Sequence, residues 1–152
     1  MISKATRISI SLCFAAITGI AWGQDCPDGQ EPFELRIHTD AWGYELYWEL
    51  TEQGAPCGAD ALYWGGNAAG VGCDGDGIPE APAGNYASNA TFILDTLCAV
   101  PGEMLTLHHV DSYGDGGTFF EVYANGVLTH SFYGTGGGNT WDLNPFELFG
   151  PA

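Results

Sequence analysis

The feature that most constrains this chain is a two-residue rhythm. Phe33, Leu35 and Ile37 alternate with Glu34, Arg36 and His38, and Leu46, Trp48 and Leu50 alternate with Tyr47 and Glu49. Successive side chains of a strand point to opposite faces, so this pattern gives a half-buried strand and cannot sit on a helix. The rhythm returns over residues 61–64, 90–97, 104–110, 118–124, 127–133 and 140–148. Gly, Pro and Asn clusters break it between these runs. Asn125-Gly126 carries a strong two-residue turn signal. About eight short strands result, and no amphipathic helix is evident. The expected fold is all-β, an antiparallel β-sandwich of jelly-roll type, with a small closed barrel second.

Two stretches share one pattern. His38 to Gly54 reads H-T-D-A-W-G-Y-E-L-Y-W-E-L-T-E-Q-G, and His109 to Gly126 reads H-V-D-S-Y-G-D-G-G-T-F-F-E-V-Y-A-N-G. Both begin His-x-Asp-x-aromatic-Gly. Both continue aromatic-Glu-aliphatic, with Trp48-Glu49-Leu50 against Phe120-Glu121-Val122 and one extra residue in the second loop. The pattern predicts a strand–acidic loop–strand hairpin used twice. His38 and His109, Asp40 and Asp111, and Trp42 and Tyr113 should then occupy equivalent places.

The acidic loops are candidate cation sites. Hard cations take several oxygen ligands, among them carboxylates and backbone carbonyls. Asp111 and Asp115 stand four apart around Tyr113 and Gly114, and in the first copy Asp40 matches Asp111 while Glu45 sits near the place of Asp115. Calcium is the expected ion, shared by both loops if they lie side by side. The alternative is an Asx-turn in which Asp111 caps its own backbone and binds nothing. A second, weaker candidate is Asp74, Asp76 and Glu80 in C-D-G-D-G-I-P-E. His-x-Asp could also hold zinc or copper, though a histidine so placed more often orients a loop. Trp42, Tyr113 and Trp64 are candidate ligand-binding rings, since aromatic faces beside carboxylates and calcium suit sugars. Their alternative role is to cap the ends of the sandwich.

Residues 1–23 read as a cleaved signal peptide. Lys4 and Arg7 precede the apolar run Ile8–Ile20, and small residues end the segment before Gln24. The run is short for a membrane span. Residues 24–152 would then be a single sandwich domain with an irregular Gly-rich insertion near 65–89, secreted and without a membrane span. That segment retains Arg36 as its only Lys or Arg against 19 acidic residues, a formal charge of −18. Such a surface repels nucleic acid and anionic lipid and attracts divalent cations and basic partners. A saline habitat would also account for it.

Four cysteines remain beyond the signal: Cys26, Cys57, Cys73 and Cys98. An even number in an exported chain points to two disulfides. Three pairings are possible. Cys57–Cys73, stapling the irregular middle, with Cys26–Cys98, tying the N-terminus to the core, is favoured.

The D-S-Y-G-D-G-G loop, with W-G-Y-E-L-Y-W-E-L upstream and A-N-G downstream, resembles a recurrent β-sandwich module of exported proteases, adhesins and surface proteins of marine and gliding bacteria. Here Gly117-Thr118 stands where that module commonly has Trp-Asn. G-N-Y-A-S-N-A-T-F-I-L is loosely similar to CUB domains, whose calcium is held by acidic loops. D-G-D-G-I-P-E resembles thrombospondin type 3 calcium repeats over seven residues. These likenesses imply an accessory binding module and supply no catalytic residue. His-Glu-x-x-His, Gly-x-Ser-x-Gly and a phosphate-binding glycine loop with lysine are all missing. The expected function is therefore non-enzymatic: a secreted, calcium-stabilised binding or adhesion module that recognises a glycan or a surface protein. A self-assembling subunit of an extracellular filament or matrix is the alternative, and a small secreted hydrolase ranks last.

Overall fold

A computed structural model describes residues 26–75 and 86–147. The proposed signal peptide, Asp76 and Glu80 lie outside them. Eight strands form: β1 (Glu31–His38), β2 (Leu46–Glu52), β3 (Tyr63–Gly66), β4 (Thr91–Ala99), β5 (Leu105–Asp111), β6 (Phe119–Ala124), β7 (Val127–Tyr133) and β8 (Gly138–Leu143). A single 3-10 turn, Gly43–Glu45, precedes β2. The strands make two antiparallel four-stranded sheets, ordered β4-β1-β6-β7 and β3-β2-β5-β8. The chain is an all-β sandwich.

Alternation places the core between the sheets. Phe33, Leu35 and Ile37 from β1 and Phe120 and Val122 from β6 meet Leu46, Trp48 and Leu50 from β2, Leu105 and Leu107 from β5, and Leu143 from β8. Each such side chain contributes about 1.5–3 kcal/mol by leaving water. Partly buried Phe132 and Trp141, on the edge strands β7 and β8, stack at 5.1 Å between ring centroids and close that edge of the core. Tyr47 and Val110 point the other way and build a small second cluster with Val71 under the Cys57–Cys73 bridge. Both favoured disulfides form, Cys26–Cys98 and Cys57–Cys73.

The duplicated stretches are not hairpins. β1 and β2 lie in different sheets, as do β5 and β6, so each acidic loop carries the chain across the sandwich. Each copy is a crossover, and the duplication extends further than the sequence pattern. Chain segments β1–β2, β3–β4, β4–β5, β5–β6 and β7–β8 all cross between sheets, whereas β2–β3 and β6–β7 are true hairpins. Exchanging β1–β4 with β5–β8 converts one sheet order into the other. The register agrees: Ile37 pairs with Phe120, and His109 pairs with Trp48. The register alone admits any constant offset; matching inward Trp48 with inward Phe120, as in the sequence pattern, equates Ile37 with His109, an offset of 72.

That offset corrects the expected equivalence of His38 and His109. His109 continues the inward row of Leu105 and Leu107, is 1% exposed, and packs edge-on against Phe120. His38 is on the outer side of β1, where its imidazole meets Glu121 and Thr91. A one-residue slip moves a side chain to the opposite face of a sheet. The core rows fix the strand alignment, and the His-x-Asp match fits only the loops.

Candidate functional site

The two acidic loops meet at one end of the sandwich. Asp40 accepts the Trp42 N–H through Oδ1 at 2.8 Å, and Asp111 accepts the Tyr113 N–H through Oδ1 at 2.9 Å. Both aspartates thus form an Asx-turn, and Asp40 and Asp111, with Trp42 and Tyr113, are equivalent in the loops as the sequence pattern predicts. Asp111 does more. Its Oδ1 also takes the Gly114 N–H at 3.0 Å, and Oδ2 takes the Gly116 N–H at 2.7 Å. These bonds hold a 5% exposed carboxylate in one orientation. Ser112 N–H donates to the Glu45 carbonyl at 3.1 Å, which ties the second loop to the first. The Asp40 carboxylate lies directly against Gly117, whose φ of +106° and missing Cβ permit that contact.

The 3-10 turn decides the fate of Glu45. It winds Gly43–Glu45 tightly before β2, which puts the Glu45 side chain inside rather than on the loop surface, at 4% exposure. There a Glu45 carboxylate oxygen, one from Asp111 and one from Asp115 all lie within 4.8 Å of one another. Glu45 comes from the first copy and the two aspartates from the second. Of the four sequence-predicted ligands, these three converge. Asp40 stands outside the trio, although its charge is felt there.

Among the described residues, no cationic side chain answers these carboxylates. Arg36, the only Lys or Arg beyond residue 23, is engaged with Glu34 and stacks over Tyr123 at 4.1 Å. Burial, and then the charges of Asp111, Asp115 and Asp40, push Glu45 up to about 7, with the nearby Tyr44 hydroxyl pulling slightly the other way. Asp111 is also raised, by burial, against the opposing effect of its backbone donors.

Glu45 Oε2 is buried with no hydrogen-bond partner. Among the described residues only three side chains carry such orphan atoms: Glu45, Ser112 and His109. All three lie on or beside the two loops, and Ser112 sits between Asp111 and Tyr113 in sequence. Native interiors leave few buried polar atoms unpaired, and each one calls for an explanation. His109 has both ring nitrogens unpaired, and burial pushes its imidazole down to about 4, with Asn139 opposing weakly. It is a neutral core histidine, hemmed in by Gly134, where a Cβ would come within 2.5 Å of its ring. It is not a ligand of the carboxylate cluster.

Glu49 offers a useful contrast. It is 1% exposed, yet both oxygens are satisfied, by the Tyr47 hydroxyl at 2.7 Å and the Gly58 N–H at 2.5 Å. It also approaches Cys57 and Cys73, but their sulfurs are joined to each other and cannot ligate a metal. Glu49 braces the stapled loop. The repeat marks Glu45 as a candidate ligand, but nothing in the sequence shows that both glutamates are buried.

Above the carboxylates is a cavity of about 220 Å³ lined by Trp42, Tyr44, Glu45, Tyr113 and Asp115. Trp42 is 49% exposed and Tyr113 65%, so their faces are free, and Tyr44 meets Trp42 edge-on at 6.1 Å. Trp42 and Tyr113 are thus brought together, one from each copy. Trp64 is not. It is exposed on the edge strand β3, paired with Glu49, and does not line this cavity. Tyr86 packs against the core, stacking on Phe92 and accepting the Trp48 indole N–H. Tyr44 was not singled out in the sequence; its place one residue before Glu45 was the available signal. Of the second calcium candidate, only Asp74 is within the described residues.

Comparison with models of known protein families, with curated proteins and with solved structures finds no match for this chain.

Proposed function

We propose that the chain is a secreted binding module in which one calcium ion ties the two crossover loops together. Glu45, Asp111 and Asp115 are its ligands. The observation that carries this reading is the buried Glu45 carboxylate, with one oxygen unpaired, set among like charges with no basic partner among the described residues. A charge so placed is costly unless a cation joins it. The spacing suits calcium. Two oxygens each about 2.4 Å from one ion can be no more than about 4.8 Å apart, and the three oxygens of the trio lie within that limit.

The two disulfides are consistent with an oxidising compartment, and among the described residues no helix is long and apolar enough to cross a membrane. The ion would hold the loops that carry Trp42 and Tyr113, so the module's working face is this end of the sandwich. Its partner is an extracellular glycan or protein. The reading involves no catalytic step.

Calorimetric titration of the purified chain with calcium tests it. Saturable binding of one ion, with a Kd on the order of 10⁻⁴–10⁻³ M as in extracellular modules, is expected, and Asp115→Asn should weaken it without unfolding the chain. Absence of binding at millimolar calcium would sink the reading. The filament alternative draws on the edge strands β3, β4, β7 and β8, which offer backbone groups to a neighbour. Calcium-dependent light scattering that grows with protein concentration would favour it.

A further inference from the structure

The calcium reading leaves a chemical question, namely what fills the rest of the ion's shell. Calcium takes six to eight oxygens. Glu45 and Asp111 are buried, while Asp115 is exposed at the cavity wall. The cavity that these residues share with Trp42, Tyr44 and Tyr113 is open to solvent above them. We infer that the module binds neutral sugars, with a vicinal pair of hydroxyls completing the calcium shell and the pyranose ring lying against Trp42 or Tyr113. The inference rests on the calcium reading.

Three observations carry it. First, beyond the carboxylates being close together, Glu45 Oε2 is buried and unpaired, and so is Ser112 Oγ, next to Asp111 in the chain. Second, the rings are not core. Trp42 is half exposed and Tyr113 more so, and they converge from separate loops on the same small cavity. At about 220 Å³, it is below the roughly 300 Å³ at which drug-sized ligand sites begin, and it suits one sugar unit. Third, charge selects the ligand. No Lys or Arg is available to hold a carboxylate or sulfate, and the −18 surface repels anions. A neutral polyol brings oxygen donors without that cost.

The experiment uses the full secreted chain on immobilised glycans, with neutral hexose-terminated and sialic acid-terminated members, in 5 mM calcium and in EDTA. Methyl α-mannopyranoside and methyl α-galactopyranoside serve as soluble competitors. Trp42→Ala and Asp115→Asn are run in parallel with calcium calorimetry on each variant. The inference expects neutral glycans to bind in calcium and not in EDTA, and a simple glycoside to compete. Trp42→Ala should keep calcium and lose about tenfold in glycan affinity, as expected for loss of one stacking ring. Calcium binding without any glycan binding overturns this inference and leaves the calcium reading standing. Glycan binding undiminished in EDTA, or confined to sialylated glycans, also overturns it. No calcium binding by calorimetry overturns both.

Discussion

Replacing Glu45 by glutamine should make the calcium-free protein more stable, although it removes a buried, native side chain. Glu45 titrates near 7 in the folded chain against an ordinary value of 4.5. A group whose folded value is raised stabilises the fold below its unfolded value and loses that contribution as pH rises through the folded value. The ionised Glu45 therefore costs stability over the window from pH 4.5 to 7. At about 1.4 kcal/mol per unit, the full cost at pH 8 is roughly 3 kcal/mol. Glutamine removes the charge and keeps the shape, and its N–H₂ can donate to Asp111 or Asp115. In EDTA at pH 8, Glu45→Gln should melt several degrees above the parent chain. At pH 5 the difference should shrink below about 1 kcal/mol, because the parent's Glu45 is then protonated in the fold. Calcium at a hundredfold its Kd stabilises the parent by about 2.7 kcal/mol and should do little for the variant, so the melting temperatures converge. Differential scanning calorimetry in EDTA and in calcium at both pH values measures all four quantities. A variant less stable than its parent in EDTA at pH 8 would refute the view that Glu45 is held against its electrostatic preference.

His109 should give the opposite pH limb. Its folded value, near 4, is below the ordinary 6.5, so its neutral form stabilises the fold above pH 6.5, and this is lost as pH falls toward 4, by roughly 3 kcal/mol. Urea unfolding of Glu45→Gln in EDTA at pH 4 and 7.5 isolates the effect, which His109→Phe should abolish. Gly117→Ala should cost about 1–3 kcal/mol in thermal unfolding through its positive φ, and more through displacing Asp40. It should also weaken calcium binding, because the two loops separate. Removing Cys57–Cys73 by a double serine substitution should cost about 3 kcal/mol for its 16-residue span, with the larger loss for Cys26–Cys98 across 72 residues. Denaturant midpoints of the two double variants decide this, and equal losses would contradict the loop-closure reasoning.

Much of the fold was legible because it is local. Phe33, Leu35 and Ile37 cannot alternate with charged residues and be anything but a strand, and Asn125-Gly126 closes β6 onto β7 with positive φ at both residues. The destination of each strand was not legible. Nothing between Thr39 and Tyr44 says that the chain will cross to the other sheet rather than fold back. Only long-range pairing of β1 with β6 and β2 with β5 settles it. The same limit put His38 opposite His109. A motif match weighs loop residues equally with strand residues, whereas the structure aligns the copies by their buried rows. Within the site, Asp40 and Asp111 were readable from the Asx-turn chemistry of their loops. Glu45 came from its place in the repeat, but its burial depends on a 3-10 turn that no residue pattern announces. Trp64 resembles the binding rings in sequence because exposed aromatics look alike there, and only the sheet shows that β3 carries it to another edge.

The central claim is that one cation bridges the two halves of the duplicated fold. A crystal grown in calcium, with anomalous diffraction collected at long wavelength, tests it most directly. The account predicts a single peak about 2.4 Å from oxygens of Glu45, Asp111 and Asp115. A well-ordered site with no peak there, and Glu45 bonded only to protein or water, would contradict it.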